Sequence, residues 1–366
     1  MRERALQTWE IAQLIRRLQA SAPDRLTSLR SDSKFSFLLD DALKWAESGD
    51  PVRAVLDLSA AAAEIENGPP DAAEAREMAD AILRAADWPR PLRIQYLSDL
   101  HASLPVDLTI PDTGADVLVI AGDIADRWEG LRWVVDATSA PHIVFVAGNH
   151  DPVGEDHHEY RRKIRLIEAE NPTRIHVLEN GVLELGDLVI LGCTLWSDFE
   201  LAEISVDRAL QQADEHMIEY QRVLDYTRWH GPRPVTPGQS YLPPTLSAAT
   251  TRGWHMASRD WLDRTLRAYA GWQRLVVTHH APHPESVTPR AGDRPHSWTD
   301  FAFDHWAPGA YASDCSDLLE HAEIWIHGHT HRVEDYTACG CRVLSNPKRD
   351  EVAHDPARCI ELDVGP

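Results

Sequence analysis

Cysteine is scarce in this 366-residue chain, with five residues at Cys193, Cys315, Cys339, Cys341 and Cys359. None stands in the C-x-x-C spacing of a structural zinc site, and an odd, scattered set does not make a disulfide framework. A reduced compartment is the expectation. Long apolar runs are missing too: no stretch of 18 apolar residues is available to span a bilayer. The opening segment MRERALQTWEIAQLIRR scatters charges through its apolar positions, unlike the apolar core of a secretory signal. A cytoplasmic location without membrane association is therefore expected. Positive charge is the third shortage, with 36 Lys and Arg against 58 Asp and Glu, a formal net charge of -22. Such a field repels nucleic acid and anionic membrane surface at long range. Binding of extended nucleic acid is disfavoured, because counterion release needs several cationic contacts.

The remaining composition is ordinary for a globular protein, 43% apolar and 26% charged. The length predicts two domains, or one domain with additions. Residues 1–88 read as helical. Leu14, Ile15 and Leu18 share one helical face, Asp50 is a good N-cap, and Pro51 sits at a first helical position. NGPPDAAEAREMADAILRAA repeats this pattern, and WPRP (Trp88 to Pro91) reads as a linker. Beyond it, residues 89–366 change texture. RIQYLS, DVLVIA, HIVFVA, DLVILGC, RLVVT and EIWIH are short Val-, Ile- and Leu-rich runs between helical segments, which suggests sheets covered on both faces. Two long interruptions fall at about 199–270, helical with a Pro-rich loop, and at 281–312, rich in Pro, Gly, His and aromatics. Loops of that length inside a compact domain are usually functional or disordered.

The ends of these runs carry a second pattern. RIQYLS leads into Asp99 and His101. DVLVIA leads into Gly122, Asp123, Asp126 and Arg127, and HIVFVA into Asn149, His150 and Asp151. RLVVT ends at His279 and His280, and EIWI at His327, His329 and His331. Each alone is weak evidence, because D-x-H or G-D after a strand is usually a turn and H-x-H can be a packing pair. Five strands that each deliver His, Asp or Asn at the carboxyl end are a different matter, since open α/β sheets place their sites there. Carboxylate, imidazole and amide oxygen suit Mn, Fe or Zn, and the lack of Cys disfavours a purely soft-metal site. Two such ions clamp the attacking and leaving oxygens of a phosphoryl displacement. A bridging carboxylate is then needed, and Asp123 is the natural candidate.

SDLH, GDIAD, GNHD, THH and GHTH, in this order over about residues 93 to 346, resemble the calcineurin-like metallophosphoesterase superfamily. The resemblance implies an α/β fold, a two-sheet β-sandwich flanked by helices, to which residues 1–88 add a helical region outside the match. It implies that Asp99, His101 and His331 hold one metal and Asn149, His279 and His329 the other, with Asp123 between them. His150 is then the group that protonates the leaving oxygen, Asp126 a carboxylate that orients it, and Asp151 a brace for the turn. Arg127 is a candidate for binding a phosphate oxygen, with a surface arginine on the first turn of the helix RWEGLRWVV as the alternative. His280, His157 and His158 are read as packing residues rather than pocket lining.

The implied cofactors are two divalent or trivalent transition-metal ions, Mn, Fe or Zn. The implied activity is dinuclear metal-dependent hydrolysis of a phosphate ester by metal-hydroxide attack. A small, nucleotide-like phosphodiester is the favoured substrate, with phosphomonoesterase or nuclease activity as alternatives. A non-catalytic scaffold is the least favoured reading, since every expected ligand position is filled. The amino-terminal helices are read as a packing or dimerisation module, or as one that regulates activity or takes a protein partner.

Overall fold

Strands buried on both faces dictate a layered fold, because each face needs its own cover. The computed structural model describes residues 12, 15–16, 33–66, 79–83, 90–103, 108–228, 244–290, 305–350 and 352–365. Most of the Pro-rich stretch after residue 230, and residues 291–304 of the loop read at 281–312, lie outside these residues. The strands among them are β1 (Leu92–Leu97), β2 (Val117–Ala121), β3 (His142–Val146), β4 (Ile175–Val177), β5 (Gly181–Leu185) and β6 (Leu188–Cys193). They continue with β7 (Gln273–Thr278), β8 (Ile324–His327), β9 (Glu334–Ala338), β10 (Cys341–Ser345) and β11 (Cys359–Leu362). One sheet has the order β11-β1-β2-β3-β4 and the other β5-β6-β7-β8-β10-β9. β1 to β4 are mutually parallel, as are β6, β7, β8 and β10, while β11, β5 and β9 join their sheets antiparallel.

Alternate side chains along each inner strand separate into two cores. Ile94, Val117, Val119 and Val144 of the first sheet meet Ile190, Val277 and Ile326 of the second. The intervening Leu118, Ile120, Ile143 and Phe145 point outward against α3 (Glu129–Ala137) and α4 (His157–Glu170), through Val134, Tyr160, Ile164 and Ile167. On the far side, Val189, Leu191, Val276 and Trp325 pack on Leu262 and Leu266 of α7 (Ala248–Ala268) and on Leu318 and Leu319 of α9 (Ser316–Leu319). The result is a two-sheet sandwich with helices on both outer faces, and period-two alternation with both faces buried is its cause.

The described part of the insertion read at 199–270 is helical: α5 (Val206–His216), α6 (Ile218–Arg222) and α7. α8 (Ala307–Tyr311) follows the aromatic loop, and Tyr311 and Trp306 join α5 and α6 residues in a separate apolar cluster. The amino-terminal helices α1 (Ser33–Ser48) and α2 (Pro51–Glu66) share the inter-sheet core: Leu39, Ala42, Ala46 and Leu56 belong to one cluster with Leu185, Leu188 and Val364. Among the described residues, no helix is long and apolar enough to cross a membrane.

Candidate metal centre

The carboxyl ends of β1, β2, β3, β7 and β8 converge, and every loop there turns sharply. Asp99, His101, Asp123, His329 and His331, five of the seven ligand candidates, have φ between 41° and 67°. Asp and His tolerate this left-handed region better than most residues, but each such residue still costs on the order of 1–3 kcal/mol and needs fixed surroundings. Backbone bonds between loops supply them. Asp99 N–H donates to Gly122 O at 3.0 Å, His101 N–H to Asp123 O at 3.1 Å, and Gly328 N–H to His279 O at 3.0 Å. Space is equally tight. A β-carbon at Gly148 would lie 2.1 Å from Asp123 Oδ1, and one at Gly122 2.4 Å from His279 Nδ1. Glycine therefore precedes the GNHD and GD side chains because the ligands occupy the volume a larger residue would fill.

Asp151 explains how these loops are locked. Its buried carboxylate accepts from three backbone N–H groups, Gly148 at 2.7 Å, Asp123 at 2.9 Å and Ile124 at 3.0 Å. Burial, and then the charge of Asp123, push its pKa up to about 7 against the pull of those donors. The bracing role read for this residue fits this geometry.

Two ligand clusters form. Asp99, His101 and His331 make one, and Asp123, His279 and His329 the other. In the first, His101 Nε2 and His331 Nε2 face each other at 3.0 Å, with Asp99 Oδ1 3.3 Å from His331. In the second, His279 Nε2 lies 2.9 Å from Asn149 Oδ1 and 3.3 Å from Asp123 Oδ2. Asp123 Oδ2 is also 3.7 Å from His101 Nε2, so one carboxylate reaches both clusters.

The donor chemistry fits cations at these points. His279 Nδ1 contacts the carbonyl of Ala121 at 2.8 Å, and a carbonyl can only accept, so Nδ1 carries the proton. In the neutral ring Nε2 is then a lone pair aimed at two oxygens, an arrangement that only a cation stabilises. Although burial opposes it, Asp123 with Asp99 drives the His279 pKa up to about 10, so a proton there takes the place a metal ion would fill. Asp123 Oδ2 and His329 Nε2 are buried without hydrogen-bond partners, and buried polar atoms rarely go unpaired. Burial holds His329 well below the usual imidazole range and lowers His101 to about 4, which keeps both rings neutral as ligation requires. Asp99 is also lowered: burial works against this, but the hydrogen bond and charge of His331 outweigh it.

His150 lies at the open side of this centre. It is half-buried, its ring edge meets His101 with centroids 4.7 Å apart, and its backbone N–H donates to Asp123 Oδ1 at 2.8 Å. It also forms a compact group with His101 and Asp123. Arg127 is exposed, precedes α3 rather than lying on its first turn, and makes no side-chain ion pair among the described residues. Asp126 is exposed and makes no hydrogen bond or ion pair among them, so none joins it to His150. His280 packs between His329 and Trp196, with centroids 4.1 and 5.2 Å away, and His157 stacks on Trp254 at 4.5 Å. His158 is exposed. Two buried residues at the centre carried no signal in the sequence. Tyr311 stacks on His329 at 4.4 Å and 20°, and burial raises the pKa of Glu219 against the charge of His150. Both arrive from the insertions, outside any strand-end motif.

Comparison with known proteins agrees with this architecture. No protein-family model matches the sequence, and no curated protein does. Among solved structures, the phosphopantetheinyl hydrolase of Mycobacterium tuberculosis is similar at a TM-score of 0.50 and 15% identity, over 74% of this chain and 96% of that one. A structure described as a 5'-nucleotidase from Staphylococcus aureus, solved with alpha-ketoglutarate, overlaps at a TM-score of 0.36 and 12% identity, over 76% of this chain and 55% of that one, too loosely to add weight. With two sheets, flanking helices and buried His and Asp clusters at the strand ends, the chain has the fold of the calcineurin-like metallophosphoesterases.

Proposed function

We propose that this chain is a dinuclear metal-dependent phosphoesterase with a small phosphodiester as substrate. The carrying observation is the reach of Asp123 Oδ2 to His279 at 3.3 Å and to His101 at 3.7 Å, which puts one buried, unpartnered carboxylate oxygen between two ligand clusters. Asp99, His101 and His331 would hold one ion, Asn149, His279 and His329 the other, and Asp123 both. Such ions, Mn, Fe or Zn by ligand type, supply Lewis acidity toward phosphoryl oxygens and lower the pKa of water toward neutrality.

The chain's own residues set direction and protonation. Asp99, Asp123, Asn149, His279 and His329 are buried, whereas His150 and Arg127 are accessible, so substrate approaches from their side. The Arg127 guanidinium, free of carboxylate partners among the described residues, suits a phosphate oxygen. His150 delivers a proton to the leaving oxygen from the same side. Net negative charge weighs against long polyanions, and the similar hydrolase adds a phosphopantetheinyl ester to the compounds to assay.

The test is paired turnover of bis(p-nitrophenyl) phosphate and p-nitrophenyl phosphate with Mn²⁺ supplied, using Asp123→Asn as the blank. Preference for the diester, abolished in Asp123→Asn, is the expected result. Preference for the monoester makes the protein a phosphatase, and turnover that survives Asp123→Asn rejects the dinuclear reading.

A further inference from the structure

A cavity of about 430 Å³ lies beside the loop that carries Asp99 and His101. Small-molecule sites typically measure roughly 300–1,000 Å³. None of the metal-ligand candidates lines it, and neither do His150 and Arg127. Separate segments meet to form it. The end of β1 and the connection to β2 supply Leu97, Leu100 and Ile110, α3 supplies Trp133, and the connection from β10 to β11 supplies Lys348 and His354. Two buried amides hold these connections in place. Gln95 Nε2 donates to Pro356 O at 2.6 Å, and Gln95 Oε1 accepts from Thr113 Oγ1 at 3.1 Å. Asn346 Nδ2 donates to Tyr96 O at 2.9 Å and to Asp355 O at 2.8 Å, while Asn346 Oδ1 accepts from Asp355 N–H at 3.2 Å. The cavity is therefore shaped before any ligand arrives, which lowers the ordering cost of binding.

The lining is apolar with a cationic end. Leu97, Leu100 and Ile110 belong to the cluster outside the first sheet, whereas Leu108 and Trp133 pack on it only partly buried and also line the cavity. Apart from exposed Thr109, the polar groups among the described lining residues are Lys348 and His354, and no Asp or Glu is among them. Lys348 Nζ makes no ion pair among the described residues; its contact is a long hydrogen bond to Leu100 O at 3.5 Å. His354 Nδ1 is buried without a hydrogen-bond partner. Acids outnumber bases 58 to 36 in this chain, so an ammonium left without a carboxylate at an apolar cavity is matched by an anion from outside. A single ammonium balances a single negative charge, which favours a carboxylate over a phosphate dianion.

We propose that this cavity binds a small amphiphilic carboxylate, with its alkyl or aryl body against Leu97, Leu100, Ile110 and Trp133 and its carboxylate on Lys348 Nζ. The body exchanges water for apolar walls, and the charged head fixes its direction. The site is separate from the metal centre, so the inference stands whatever ester the chain hydrolyses.

The experiment is calorimetric titration of the full chain with octanoate, with thermal melting as the check on folding. One octanoate per chain should bind. Inorganic phosphate, which suits a metal centre but has no apolar body, should not displace it. Octanol, of the same chain length without the charge, should bind about 10–100-fold more weakly, the worth of a hydrogen bond between charged groups. Lys348→Gln should weaken octanoate by a similar factor and leave octanol unchanged, a split that a merely structural lysine would not produce. The Lys348 backbone bond to Ser98 O at 3.1 Å survives that substitution. Leu108→Trp, at a partly buried position, fills the cavity and should abolish binding of both. Should Leu108→Trp not fold, Leu108→Asp takes its place, since a carboxylate in the cavity repels octanoate. Octanoate that binds equally well to Lys348→Gln, survives the Leu108 variant, or is displaced by inorganic phosphate overturns the proposal. So does the lack of saturable binding to the wild type.

Discussion

His150 supports the Asp123 carboxylate through its backbone N–H, and this separates two roles at the scale of single residues. The His150 N–H that supports Asp123 Oδ1 at 2.8 Å survives any substitution short of proline. Asp123 itself is held well below the ordinary carboxylate range, since His279, and then His150, outweigh the burial that opposes it. His150→Ala should therefore leave metal uptake intact and remove only the proton donor. For a substrate with an alkyl leaving group the expected loss in turnover is about 10²–10⁴-fold. For p-nitrophenyl esters, whose leaving group needs no proton, the loss should be far smaller. Steady-state rates on the two substrate types, with metal content measured alongside, decide the matter. Loss of metal would instead make His150 a ligand, a role open to it through its compact group with His101 and Asp123.

At the scale of elements, what the sequence revealed depends on burial. The six apolar runs read from it are β1, β2, β3, β6, β7 and β8, interior strands covered on both faces. The strands it did not reveal are β4, β5, β9 and β11, which are the four sheet edges, and β10, where exposed Arg342 interrupts the run. An edge strand alternates or is polar, as β5 and β9 are, so a search for apolar runs passes over it. The ligand candidates were legible because each lies within four residues of the end of an interior strand. Glu219 and Tyr311 were not, because they reach the centre only when the insertions fold back. The pairing of Asp126 with His150 was implied by the family resemblance, but the chain turns Asp126 to solvent.

The insertion leaves a second mark, on α4. His157 begins this helix, stacks on Trp254 of α7 at 4.5 Å, and is 7% exposed with Nδ1 unpartnered. Burial, and then the charges of Arg161 and His158, push its pKa down to about 3. Between that value and about 6.5, the unfolded chain holds a proton on this ring and the folded chain does not. Stability from this group is therefore present above pH 6.5 and lost as pH falls toward 3, by at most about 1.4 kcal/mol per pH unit. His157→Phe preserves the stack and removes the titration. In urea unfolding at pH 7 and pH 4.5, the variant should lose about 1–3 kcal/mol less than the wild type over that interval. Equal losses would show that the ring takes up its proton in the folded state.

At the scale of the whole molecule, the question is whether the amino-terminal helices form a unit of their own. The sequence marked a change of texture near residue 88, but composition cannot show what a helix packs against. In the structure α1 and α2 contribute Leu39, Ala42, Ala46 and Leu56 to the core between the sheets. The joint between them is polar and buried. Asp50 caps α2 by accepting from Arg53 N–H at 3.0 Å, and its Oδ1 lies 3.0 Å from His142 Nε2 of β3. His142 Nδ1 is in turn 3.0 Å from His176 Nε2 of β4. Arg53 reaches Glu184 O of β5 at 3.3 Å. If this contact is part of one cooperative structure, Asp50→Ala removes a cap and strips His142 of its acidic neighbour, for about 1–3 kcal/mol. Urea unfolding followed by far-UV circular dichroism and by tryptophan fluorescence should then show one transition, shifted as a whole to lower urea. An independent helical unit predicts two transitions, only the weaker of which moves, with turnover in the proposed assay following the one that does not. The shared core argues for the single transition, because unfolding the helices alone would expose Leu185, Leu188 and Val364 to water.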